Sequence, residues 1–258
     1  MTDFGTPDHA RRFGGTARLY GQAAAQRIYG LHAVVVGIGG VGSWVADGLA
    51  RLGVGQLSLI DMDHVAESNI NRQLHATDAS VGMAKIEAMR QRINSFHPEC
   101  LVHLVDDFVS PDNWPQLLDG MPPVHVLIDA CDQWRAKEAM AAWALRSRTP
   151  AVVVGAAGGK VKAQAVEVAD LGAVSHDPLL AKLRYQLRRH HGAARQGRMG
   201  VTCVFSRESV VGAQDASCEA PTDGSLNCHG YGSAATVTGT FGLVAAGTAV
   251  DLCLATKA

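Results

Sequence analysis

The sequence predicts an α/β fold in which a mainly parallel sheet carries helices on both faces. Three observations lead there. Short β-branched apolar runs recur at residues 33–36, 57–60, 101–105, 124–128 and 151–154, the kind of strand that a parallel sheet buries on both faces. Segments of helical period separate several of these runs, and that alternation is the signature of a βαβ chain. The first run leads into Gly37, Gly39 and Gly42 at G-x-G-x-x-G spacing, with Gly40 as an extra glycine.

In chain order, residues 1–7 read as a disordered end. Residues 9–29 read as one or two helices interrupted around Phe13-Gly14-Gly15, with Arg11, Arg12 and Arg18 on a solvated face. After the glycine loop, Val41, Val45, Leu49 and Leu52 repeat at helical spacing. The second strand ends at Asp61, about twenty residues beyond the last glycine, where an acid can reach a ribose. A helix is expected over residues 81–96, stopped by Pro98. The fourth strand ends in Asp129-Ala130-Cys131-Asp132, a helix covers residues 135–146, and the fifth strand runs into Gly155-Ala156-Ala157-Gly158-Gly159.

The pattern then changes. Residues 160–168 alternate like an antiparallel strand, 178–189 form an amphipathic helix, and 201–205 form a further strand. Residues 207–231 are polar and rich in glycine and serine, and a loop of that length is functional or mobile. Residues 234–254 are apolar, but threonines, glycines and Asp251 interrupt them, so they read as a packed helix with no integral membrane span. The resulting picture is a Rossmann-like nucleotide-binding region over residues 1–159. An antiparallel C-terminal extension, residues 160–258, completes the same domain and faces the substrate.

Which nucleotide it takes is decided after the second strand. A dinucleotide site needs one acid there. Here the acid is doubled in Asp61-Met62-Asp63, and Ser68-Asn69-Ile70-Asn71-Arg72-Gln73 and Lys85 follow. An arginine and a lysine returned to a glycine loop supply the cations that a triphosphate requires.

Composition limits the alternatives. With 47% hydrophobic and 18% charged residues and a formal net charge of −1, the chain has no global attraction for nucleic acid or membrane, so any anion site must be local. The cysteines, Cys100, Cys131, Cys203, Cys218, Cys228 and Cys253, include no C-x-x-C pair, which argues against a zinc module. They read as free thiols of a reducing cytoplasm.

Taken as an ordered set, G-I-G-G-V-G, D-M-D, S-N-I-N-R-Q, Lys85 and D-A-C-D resemble the superfamily of ubiquitin-activating enzymes and sulfur-carrier adenylyltransferases. The opening R-F-G-G-T-A-R-L-Y-G, the stretch from Asp106 to Asn113, G-A-A-G-G-K, D-P-L-L-A-K-L-R and G-V-T-C-V-F-S resemble, within it, the tRNA threonylcarbamoyladenosine dehydratases. The resemblance implies that Gly37, Gly39, Gly40, Gly42, Asp61 and Asp63 hold ATP, with Asp61 on the ribose. It further implies that Asn69, Arg72 and Lys85 address the phosphates and that Asp129 holds Mg2+. An arginine donated by a partner subunit, for which Arg18 is the candidate, implies a homodimer. The implied reaction is ATP-dependent cyclisation of threonylcarbamoyladenosine on tRNA. On this reading Asp129 is a site residue whose loss spares the core.

One feature favours a tRNA partner independently of the resemblance. Lys182, Arg184, Arg188, Arg189, Arg195 and Arg198 fall within seventeen residues that contain no acid, a local basic patch suited to phosphates. Cys228, in N-C-H-G-Y-G-S, is the thiol candidate for accepting an acyl group, and a cysteine desulfurase or sulfur acceptor is the partner such chemistry would imply. A tethered nitrogen, however, closes a ring without a thioester. The alternatives are an adenylyltransferase acting on a small sulfur-carrier protein, a nicotinamide-dependent oxidoreductase, and a noncatalytic nucleotide sensor. The oxidoreductase leaves Asn69, Arg72, Lys85 and Asp129 without roles.

Overall fold

The computed structural model describes residues 8–210 and 231–256. Seven strands form one sheet in the order β3-β2-β1-β4-β5-β7-β6. They are β1 (His32–Val36), β2 (Gln56–Ile60), β3 (Leu101–Val105), β4 (Val126–Asp129), β5 (Ala151–Val154), β6 (Val166–Asp170) and β7 (Thr202–Ser206). All neighbours pair in parallel except β6 with β7. The α/β expectation holds, and the antiparallel feature is the single edge strand β6.

Alternation along the strands divides the core in two. Ala33 and Val35 of β1 face the larger cluster, which includes Leu49, Met89 and Phe241, whereas Val34 and Val36 face Trp114 and Met140. On the first face lie α3 (Gly42–Arg51), α4 (Lys85–Phe96) and α7 (Ala235–Ala255). On the other lie α5 (Trp134–Ser147) and α6 (Pro178–His190), the latter closing a third cluster through Leu180, Leu183 and Leu187. α7 is the one described helix long and apolar enough to cross a membrane, and over half of that apolar window is buried within the fold. It crosses α3 closely because both helices carry small residues there. A Cβ on Gly242 would lie 2.5 Å from Trp44 Cβ.

Several boundaries differ from expectation for local reasons. Gly14 and Gly15 lie inside α1 (His9–Tyr20), and the break before α2 (Gln22–Tyr29) falls at Gly21, whose φ of 87° suits glycine. α4 starts at Lys85 rather than at residue 81, because Gly82 turns the chain (φ 87°) and His64 pairs with Ala84 in an isolated bridge. The strand expected from residue 160 begins only at Val166. Before it, the backbone N–H groups of Val161 and Lys162 donate to the Glu208 carboxylate instead of to a strand.

The 3-2-1-4-5 order places a topological switch between β1 and β4. Ligands of such sheets bind beyond the carboxyl ends of the strands at that point. The glycine loop follows β1, and Asp129 ends β4.

Candidate active site

The two sides of the switch point touch through glycine. Gly37 has φ 85°, and a Cβ there would lie 2.9 Å from both the N and Cα of Cys131. A Cβ on Gly42 would lie 1.7 Å from Gly37 O and 3.3 Å from Ala130 Cβ. Only glycine lets the loop lie against the turn after Asp129 while opening α3. A Cβ on Gly39 would meet nothing within 4 Å, and one on Gly40 would lie 3.4 Å from Thr238 Cγ2 and 3.5 Å from Arg72 Cγ. Backbone bonds fix the frame, from Gly37 N to Ile60 O and from Ala130 N to Val36 O (both 2.9 Å).

Asp61 braces this loop. Its Oδ2 accepts from Ile38 N at 2.6 Å and its Oδ1 from Asp63 N at 2.8 Å. Burial raises its carboxyl above the usual range, against the pull of Lys85 and the two N–H donors. The Asp63 carboxylate is exposed and takes Lys85 Nζ at 2.5 Å. Lys85 is buried at the first turn of α4 and is held inward as a cation.

The Ser68-to-Gln73 segment brings Arg72 over the loop. Asn69 is buried and its Oδ1 accepts from Ala66 N at 3.0 Å, tightening a short 3-10 turn. Arg72 O accepts from Trp44 Nε1 at 3.1 Å and Thr238 Oγ1 at 3.3 Å, which anchors that backbone to α3 and α7. The Arg72 guanidinium is bonded to Ser68 O and Asn71 Oδ1.

Asp129 differs most from its expected surroundings. It is wholly buried and paired with Lys137 of α5, itself wholly buried, with Nζ 3.0 Å from Oδ1 and 2.8 Å from Val154 O. Cys131 N and Sγ also donate to Oδ1, at 3.2 and 3.1 Å. Oδ2 has no hydrogen-bond partner among the described residues. Burial would lower the Lys137 ammonium, but Asp129 overrides it and holds the pKa above its ordinary value. Burial and Asp129 together push the Cys131 thiol well up, away from reactivity. The expectation that losing Asp129 spares the core is therefore corrected, because Lys137 would be left buried without its counter-ion.

Other expected residues lie elsewhere. Arg18 is exposed on α1, whose Phe13 packs on Gly53 ahead of β2, at the end of the sheet opposite the glycine loop. It does not reach the site of its own chain. Arg184 is half-buried, and its Nη1 donates to Leu171 O and Val174 O, tying it to the segment before α6. Arg188 donates to Ala194 O at 3.1 Å. Lys182, Arg189, Arg195 and Arg198 are exposed. Cys218 and Cys228 fall outside the described residues, and the other four cysteines are free thiols.

His75, two residues beyond the S-N-I-N-R-Q stretch, is buried, and neither ring nitrogen has a partner among the described residues. Burial, with Lys85 and Arg92 adding, depresses its pKa to about 4 from an ordinary 6.5. Between those values the unfolded chain binds a proton that the folded chain refuses. Stability should therefore fall as pH drops below 6.5, at up to about 1.4 kcal/mol per pH unit from this residue. Urea denaturation between pH 7 and 4.5 should show a shallower loss for His75→Met than for the wild type; parallel curves would contradict this.

The fold and site define a nucleotide-binding α/β protein with a glycine loop at the switch point of its sheet and a buried acid across from it. A profile described as the ThiF family matches residues 13–257, and the chain belongs to that family. It is similar along nearly its whole length to the tRNA threonylcarbamoyladenosine dehydratase of Escherichia coli K12, with 45% identity over 96% of this chain and 95% of that one. The Haemophilus influenzae protein of the same name is 37% identical over 97% and 96% of the two chains. Among solved structures, the E. coli tRNA N6-threonylcarbamoyladenosine dehydratase in complex with ATP superposes with a TM-score of 0.84 at 44% identity, covering 95% of each chain. Its complex with AMP superposes equally well.

Proposed function

We propose that this chain is an ATP-dependent tRNA threonylcarbamoyladenosine dehydratase. In the first step a carboxylate oxygen of the modification attacks the α-phosphorus of ATP, and the bond from that phosphorus to the bridging oxygen of pyrophosphate breaks. In the second, a nitrogen of the same modification attacks the acyl carbon, loses its proton, and AMP departs. The net change on the nucleoside is loss of one water.

The chain's own residues supply the alignment and charge this needs. Backbone of the glycine loop can approach the phosphates, and Arg72 and Lys85 stand beside it to offset the charge that would repel an incoming carboxylate. Asp61, fixed against Ile38 N, is the acid for the ribose, and Asn69 holds the Arg72 segment in place. Magnesium fits the residues present. Asp129 offers one unpartnered oxygen, and no cluster of three His, Cys, Asp or Glu side chains suited to a metal occurs among the described residues. Mg2+ is commonly held by one or two carboxylates together with substrate phosphates. When bound, it would neutralise phosphate charge. Arg18, remote from its own site, suits donation to a neighbouring subunit, which makes a homodimer part of this reading. A cytoplasmic location, where ATP and tRNA are both at hand, is part of this reading. Ring closure uses no sulfur, so a cysteine desulfurase or sulfur acceptor would serve the chain outside this reaction.

The observation that carries the reading is the extent of the match. Similarity to the E. coli and H. influenzae dehydratases covers at least 95% of each chain, whereas the Salmonella typhimurium molybdopterin-synthase adenylyltransferase matches 46% of this chain at 32% identity. Exchange of labelled pyrophosphate into ATP should therefore depend on tRNA bearing threonylcarbamoyladenosine. Exchange supported by a sulfur-carrier protein and not by that tRNA would select the adenylyltransferase instead.

A further inference from the structure

We infer that a stripe of alternating cations and aromatic rings, Trp134, Lys182, Tyr185 and Arg189, leads from the mouth of the site along α6 and holds unpaired nucleotides of the tRNA. This rests on the tRNA reading above and specifies how that partner is gripped.

The stripe follows from helix geometry. Lys182, Tyr185 and Arg189 stand at i, i+3 and i+7 on α6, so they share one face over about 10 Å of axis. α6 packs on α5, and this brings Lys182 Nζ to 3.9 Å from the centre of the Trp134 ring. Trp134 is the first residue of α5, five residues after Asp129, so the stripe begins where β4 delivers its acid. The Arg135 guanidinium lies 5.3 Å from the same ring. Farther along, Tyr185 is 58% exposed, and Arg189 donates to its hydroxyl at 3.1 Å with its guanidinium 5.9 Å from the ring centre.

A solvated helix face has no need of an exposed ring such as Tyr185, set beyond the half-buried Trp134. Pairing each ring with a cation gives what single-stranded nucleic acid uses, namely flat surfaces for bases and positive charge for the backbone between them. Proteins read RNA mainly in loops whose bases can be splayed out. The neighbouring cations sort themselves accordingly. Arg184 and Arg188 are bonded to carbonyls, and the flanking Glu138 is hydrogen-bonded to His191 at 3.0 Å. Lys182 and Arg189 are the exposed cations that stand beside the two rings.

The test uses Tyr185→Ala, the double variant Lys182→Ala/Arg189→Ala, and Trp134→Leu, with thermal melts to confirm folding. Tyr185 is exposed, so its variant keeps the test valid if Trp134→Leu proves unstable. Affinity for tRNA bearing the modification is measured at two salt concentrations, and turnover is measured on that tRNA and on the excised modified nucleoside. Tyr185→Ala should weaken tRNA binding roughly tenfold with an unchanged salt slope, as expected when a stacking surface is removed. The double variant should also flatten the slope, by about 0.7 for each single-strand phosphate that is no longer neutralised. ATP affinity and nucleoside turnover should match wild type. Wild-type tRNA affinity in both Tyr185→Ala and the double variant would overturn the stripe, as would an equal loss of turnover on the free nucleoside. Failure of the underlying reading looks different: the wild-type enzyme itself would bind no tRNA.

Discussion

Asp129→Ala is expected to abolish turnover and to destabilise the fold together. Stranding Lys137 in the core without its counter-ion should cost about 3–5 kcal/mol. Lys137→Met should be similarly destabilising, because it leaves the Asp129 charge uncompensated beside Cys131. The double variant Asp129→Asn/Lys137→Met removes both charges and should recover much of the stability while remaining inactive. Denaturation midpoints and turnover for the three proteins check this. Stability of the double variant no better than that of either single variant would show that the ion pair is not the source of the loss. Wild-type turnover in Asp129→Ala at saturating magnesium would remove Asp129 from the site.

Arg72→Ala should separate activity from stability. The Arg72 main chain is tied to Trp44 and Thr238, and among the described residues its guanidinium bonds within its own segment. Truncating the side chain should therefore change stability by less than about 1 kcal/mol. Removing one preorganised donor to a charged transition state should lower kcat by roughly 10²–10³. Arg72→Lys should recover part of that loss at most, since a point charge does not replace a planar fork. A variant that keeps wild-type kcat with ATP would take Arg72 out of the phosphate site.

What was legible in the sequence was local. The glycine spacing, the doubled acid and the strand-ending Asp129 each sit in a contiguous pattern, and the sheet places them around one switch point. Lys137 was hidden because its role is set by packing. It reads as one charge in an alanine-rich helix, yet Ala136, Met140, Ala141 and Ala144 put it on the buried stripe of α5. A lysine on an apolar stripe eight residues after a strand-ending acid was the available signal. The run of arginines in α6 was likewise visible as charge, but charge alone could not distinguish Arg184, turned inward onto carbonyls, from Arg189, turned outward beside Tyr185. The start of α4 differs from the sequence pattern because apolar period continues through residues 81–84, while Gly82 and the bridge at Ala84 interrupt the backbone.

The most direct test is mass analysis of nucleosides from tRNA carrying threonylcarbamoyladenosine after incubation with the enzyme and ATP. The account predicts a modified nucleoside lighter by one water, formed with one AMP per ring closed and absent when ATP is omitted. An unchanged nucleoside, alongside an adenylated C-terminus on a sulfur-carrier protein in a parallel incubation, would contradict it.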